Sequence, residues 1–178
     1  MRASRYGVAA ALAAATLLLS AGCGSHGVPP KTWAGRVCTA LKPWTSTITT
    51  LTTQTQTQMK SVTTPDQAKV TLVDLLDQEA SASAKARDRL LAAGTPDVPN
   101  GADIAGQFRS ALASAEKSYA TARDSIRKLS TDDSETFYDG VTTAIDTLNK
   151  QYKAGALDTS KVRSEQLQQA FDTVPECQ

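Results

Sequence analysis

Three cysteines and a single histidine carry most of the reactive chemistry available to this chain. Cys23 follows Ser20-Ala21-Gly22, and small side chains directly before a cysteine are what a lipoprotein signal peptidase requires. The thiol of Cys23 is then the acceptor of a diacylglyceryl group. Ser20 stands where such sites usually carry Leu, Val or Ile, with Leu19 one step earlier. An odd cysteine count in an exported chain requires an account of the odd one. With Cys23 acylated, Cys38 and Cys177 remain, and an oxidising compartment favours a disulfide between them.

Other chemistries fall short of a complete set. His26 lies in Gly24-Ser25-His26-Gly27-Val28-Pro29-Pro30, so the chain beyond it has no imidazole for general base or ligand work. A di-iron bundle site needs Glu-x-x-His pairs on facing helices, and these are absent. Zinc held by Cys38 and Cys177 would lack two ligands. No catalytic residue, metal ligand or cofactor site is assigned. Asp132, Asp133 and Glu135 form the densest acidic group, best suited to stabilising a helix N-terminus. Asp74, Asp77 and Glu79 read as a solvated helix face. Trp33 and Trp44 fall on an apolar stripe, where packing is the simpler role. The alternative is a small apolar ligand held between helices beside them. Residues 94–101, with Pro96 and Pro99, suit a helix connection or a rigid recognition loop.

The charge balance excludes further classes. Arg2 and Arg5 lie in the first 22 residues, which leaves 17 basic against 18 acidic side chains beyond them. That balance of about −1 is neither the footprint of a nucleic-acid binder nor a polybasic patch for anionic lipid.

Positioning falls to helices. Residues 1–22 have a basic start, an apolar run over 7–19 and a small-residue end, the three parts of an export signal. About thirteen apolar residues are short of the roughly 20 that a membrane span needs. Residues 23–31 are small, polar and Pro-rich, a flexible tether reaching about 30 Å at full extension. A domain over 32–178 follows. Trp33, Val37, Leu41, Trp44, Ile48, Leu51, Thr55, Met59 and Val62 repeat every three or four residues. Pro43 predicts a kink or break near Lys42. Ten threonines within 45–64 leave a strand over 47–57 as the competing reading to a helix, and the whole stretch 45–64 is open to glycosylation in an exported protein. Thr64-Pro65-Asp66-Gln67 is a capping box opening a second helix, which ends at Gly94. Asn100 or Asp103 caps a third, carrying Ile104, Phe108, Leu112, Ala115, Tyr119, Ala122, Ile126 and Leu129. A fourth runs from Asp132-Asp133 to Gly155, and a short fifth begins near Asp158-Thr159-Ser160.

The predicted fold is therefore all-α: an antiparallel up-down four-helix bundle with a short extra C-terminal helix. Up-down topology returns the chain's end to its beginning, where Cys38 and Cys177 can meet.

The lipobox region, Trp33-x3-Val37-Cys38-x2-Leu41, the loop Ala93-Gly94-Thr95-Pro96-Asp97-Val98-Pro99-Asn100-Gly101 and the ending Leu167-x2-Ala170-Phe171-x3-Pro175-x-Cys177 resemble the small secreted proteins and lipoproteins of actinobacterial envelopes. The resemblance implies export, a helical fold and a paired cysteine, and brings no activity with it. The sequence thus points to a non-catalytic envelope lipoprotein on the extracytoplasmic face, binding an envelope protein or cell-wall component.

Overall fold

The computed structural model describes residues 27–155 and 164–178. Within them the chain is helical: α1 (Pro30–Met59), α2 (Pro65–Ala93), α3 (Gly101–Arg127), α4 (Ser134–Ala154), α5 (Glu165–Thr173) and a terminal 3-10 turn (Pro175–Cys177). Cys23, His26 and residues 158–160 lie outside the described residues.

α1 runs unbroken through Pro43, so of the expected kink or break the break does not occur. A proline inside a helix costs about 3 kcal/mol. Trp33 and Val37 before it are fully buried, and Trp44 and Ile48 after it pack into the core. At about 1.5–3 kcal/mol for each large apolar side chain, that burial outweighs the loss. The threonine stretch is helical too. Thr52 and Thr57 donate their hydroxyls to the carbonyls of Ile48 (2.9 Å) and Thr53 (3.1 Å), one turn back, so these polar side chains are satisfied within the helix.

The helix starts follow local chemistry. Thr64 Oγ1 accepts from the Gln67 N–H (3.3 Å), while Gln67 Oε1 accepts from the Thr63 N–H (3.0 Å), one residue earlier than in a standard capping box. Asp133 accepts from the Thr136 N–H at 2.8 Å and opens α4. Ser164 caps α5, its side chain accepting from the Leu167 N–H. Asn100 precedes α3 but makes no side-chain cap; it sits in the left-handed region at φ 59°. Gly101 is obligatory beside it, because a Cβ there would lie 2.1 Å from the Pro96 carbonyl oxygen.

The expected tether is shorter at its C-terminal end than 23–31. Pro30 and Lys31 already belong to α1. Val28 is fixed against the α2–α3 connection: its N–H donates to the Thr95 carbonyl (2.7 Å) and its carbonyl accepts from the Asp97 N–H (2.8 Å). The apolar Val28 side chain also packs on the core, which accounts for its docking.

α1 packs on α2, α2 on α3 and α3 on α4, while α5 returns to α1. Two large apolar clusters result. One joins Trp33, Val37, Leu90, Ile104, Phe108, Leu112 and Leu167. The other joins Leu76, Tyr119, Ile126, Ala144 and Leu148. α4 contributes buried residues only to the second, and α5 only to the first and to a small patch with Ala34 and Val174. α5 is thus a core element, its Leu167 fully buried.

Cys38 and Cys177 are bonded, with Cα atoms 5.1 Å apart across 139 residues of sequence. Replacing both with serine is expected to lower the unfolding free energy by about 4–5 kcal/mol in the chain-entropy account. The urea midpoint under non-reducing conditions measures this; an unchanged midpoint would contradict it.

Candidate functional site

The most unusual polar group in the domain is Glu79. Sequence reasoning assigned it with Asp74 and Asp77 to a solvated face, and the structure corrects that reading. Asp74 and Asp77 are exposed, but Glu79 is only 4% exposed. The signal was present in the spacing. Leu76, Glu79, Ser83, Ala86 and Leu90 step by three and four along α2, and all five are buried. An acid on that stripe is carried inward by the helix that places Leu76 and Leu90 there.

Several elements converge on it. From α1, the Thr52 hydroxyl lies 3.2 Å from Glu79 Oε1. Also from α1, Trp44 Nε1 donates to Ser83 Oγ (3.0 Å), and Ser83 Oγ donates to the Glu79 backbone carbonyl (2.9 Å). Tyr119 of α3 and Tyr152 of α4 stand with ring centroids 6.0 Å apart, and a charge on Glu79 acts on both phenols. Among the described residues, no ion pair reaches Glu79. Burial therefore pushes its carboxyl up to about 7, against a smaller lowering by Thr52. Burial, and next the charge of Glu79, raises both tyrosine phenols as well.

Protonation suits this geometry. The single Thr52 hydroxyl proton can satisfy the Ile48 carbonyl at 2.9 Å, while a protonated Glu79 donates to the Thr52 oxygen. The ionised form has to share that one donor. Chemically, the arrangement favours the protonated carboxyl inside the α1–α2 seam.

The other candidates take structural positions. Trp33 is buried, donates Nε1–H to the Gly94 carbonyl (3.0 Å), and has its ring packed against Phe108 and Phe171 at 5.3 and 6.0 Å. Trp44 is half-buried and edges a surface groove of about 420 Å³. Trp44 also packs against the apolar cluster that contains Trp33, and against the second cluster. In the acidic group, Asp133 caps α4; the side chain and N–H of Thr136 hold its carboxyl below the ordinary range. Asp132 accepts from the Ser130 hydroxyl at 2.7 Å. Among the described residues no three His, Cys, Asp or Glu side chains gather closely enough to hold a metal ion. None of the described helices is long and apolar enough to cross a membrane.

No family model, no curated protein and no solved structure matches this chain.

The sign of the Glu79 effect follows from its raised folded-state value. The native state binds the proton more tightly than the unfolded chain, so the stabilisation is complete below pH 4.5 and is lost as pH rises through about 7. The expected loss is roughly 1–3 kcal/mol. Glu79→Gln keeps an acceptor for Thr52 without the charge. It is expected to flatten the stability profile across that window and to raise the thermal midpoint at mildly alkaline pH. Identical slopes for wild type and variant would show that Glu79 is not the titrating group.

Proposed function

We propose that this chain is an exported lipoprotein, held at the extracytoplasmic face of the cell membrane by acyl chains on Cys23. Its helical domain serves as a non-catalytic binding or structural module of the envelope. The observation that carries the reading is the pairing of Cys38 with Cys177. It removes two of three cysteines and leaves Cys23, which directly follows the basic, apolar and small-residue stretches of an export signal. The tether, the near-neutral charge and the lack of a histidine beyond residue 26 are consistent with a domain that acts by contact, on an envelope protein or wall component, rather than by catalysis.

An up-down, antiparallel bundle is part of the same proposal. Residue numbers run in opposite senses across each consecutive pair: Trp33 meets Gly94 and Thr52 meets Glu79; Lys69 meets Leu129 and Arg87 meets Glu116; Ser114 lies beside Gly155 and Leu129 beside Gly140. Such a domain presents long helix faces to a partner while both ends of its chain stay at one pole.

The anchor is tested by the intact mass of the native N-terminal peptide, expected to begin at an acylated Cys23. Cys23→Ala is expected to move the protein from the membrane fraction to the medium or to leave its leader uncut. A mature N-terminus at another residue, without acyl mass, would overturn the reading.

A further inference from the structure

Among the described residues most cations form no ion pair, and several of the exposed ones share the α1–α2 side. On the α2–α3 side, Arg87 pairs with Asp88 and Glu116, and Arg123 with Asp77 and Asp124. On the α1–α2 side, by contrast, Lys31, Arg36, Lys85 and Arg89 are exposed. Among the described residues none of these four has a carboxylate within 4.0 Å. Lys31, Arg36 and Arg89 line one open groove of about 880 Å³ beside the disulfide, and Arg89 and Lys85 line its continuation along the same seam. The Thr32 and Thr39 side chains add hydroxyl donors, and Val174 with Pro175 forms an apolar wall. Two acids intrude: Glu176 lies over Gly35, and Asp77, paired with Arg123, lines the continuation. Arg36 also donates weakly to the Ala93 carbonyl at 3.4 Å, which leaves most of its guanidinium free.

The composition gave no expectation of a basic patch, because these cations are spread between positions 31 and 89 and balanced by acids elsewhere. Folding brings them together. Their position is informative in a second way. Lys31 lies three residues after Val28, which is fixed to the 95–97 backbone at this same pole. From Cys23 to Gly27 the chain reaches about 14 Å at most. An anchored domain therefore holds this pole against the membrane surface.

We propose that the groove lined by Lys31, Arg36 and Arg89 is a docking surface for acidic phospholipid headgroups of the membrane that carries the anchor. The proposal rests on the lipoprotein reading for its location. Cationic side chains and threonine hydroxyls match a phosphodiester, the apolar wall matches the glycerol region below it, and docking lays the α1–α2 face on the bilayer. Its effect is orientation: the acyl chains supply retention, and the groove determines which helix faces point outward.

The test uses the mature chain from residue 23 with Cys23→Ser and the disulfide intact, so that no acyl chain contributes. Co-sedimentation is measured with phosphatidylcholine vesicles, with and without an equal share of phosphatidylglycerol. Binding is expected only to the acidic vesicles and is expected to weaken with salt. Each cation removed should cost about fivefold, so Arg36→Gln with Arg89→Gln should lose roughly 25-fold. Glu176→Gln, which removes the opposing charge, should strengthen binding by about fivefold. A gain confined to the acidic vesicles separates this charge effect from misfolding, which would expose apolar surface to both vesicle types. Arg127→Gln, outside the groove, should leave binding unchanged. Equal sedimentation with both vesicle types, or indifference to all three groove substitutions, would overturn the proposal. So would calorimetric binding of inorganic phosphate without vesicle binding, which would assign the groove to a soluble anion. Vesicle binding by a protein whose native form lacks acyl mass would overturn the anchor and leave the groove intact.

Discussion

Trp33 ties four separated stretches of chain together at one pole of the domain. Its indole N–H donates to the Gly94 carbonyl at the end of α2, and its ring packs against Phe108 of α3 and Phe171 of α5. One turn further on, Val37 is buried in the same cluster and Cys38 is bonded to Cys177. The buried indole has to donate its hydrogen bond, because an unmet one would cost about 1–3 kcal/mol. The partner it finds is a carbonyl at the helix end, where intrahelical partners run out. Packing, capping and the covalent link thus reinforce one another at a single place.

The other half of the domain is held differently. Along the α1–α2 seam beyond Pro43, the packing of Trp44 and Ile48 on the Leu76 cluster is joined by a chain of polar contacts through Trp44, Ser83, Thr52 and Glu79. Alanine and serine on α2 allow close approach but contribute little buried area. The seam therefore draws on hydrogen bonds in which a buried carboxyl takes part. One pole is dry, aromatic and cross-linked; the middle is polar and sensitive to protonation. The groove with unpaired cations lies at the dry pole, on the backbones of α1 and α2 where the cross-linked core holds them.

Much of the helical layout was legible in the sequence. The three-and-four spacing from Ile104 to Leu129, the capping residues at Thr64 and Asp133, and the stops at Gly94 and Gly155 all act within a few residues, so local pattern suffices to find them. Pro43 and the threonine stretch were harder. A local rule argues for a break or a strand there, and burial of side chains on both sides overrides it. Asn100 shows the opposite failure. Its residue type suggests a side-chain cap, but the turn requires a left-handed backbone, and the side chain is not used.

By itself the sequence determined most of the helices and the expectation, met in the structure, that Cys38 pairs with Cys177, since each depends on residue type, count or short-range spacing. Only the tertiary structure decided that Glu79 is buried, that Val28 is docked, that α5 belongs to the core, and that Lys31, Arg36, Lys85 and Arg89 lie along one seam. These are facts about which faces meet. Whether a charged side chain is solvated or enclosed depends on neighbours tens of residues away, and the periodicity of one helix does not reveal what packs against it.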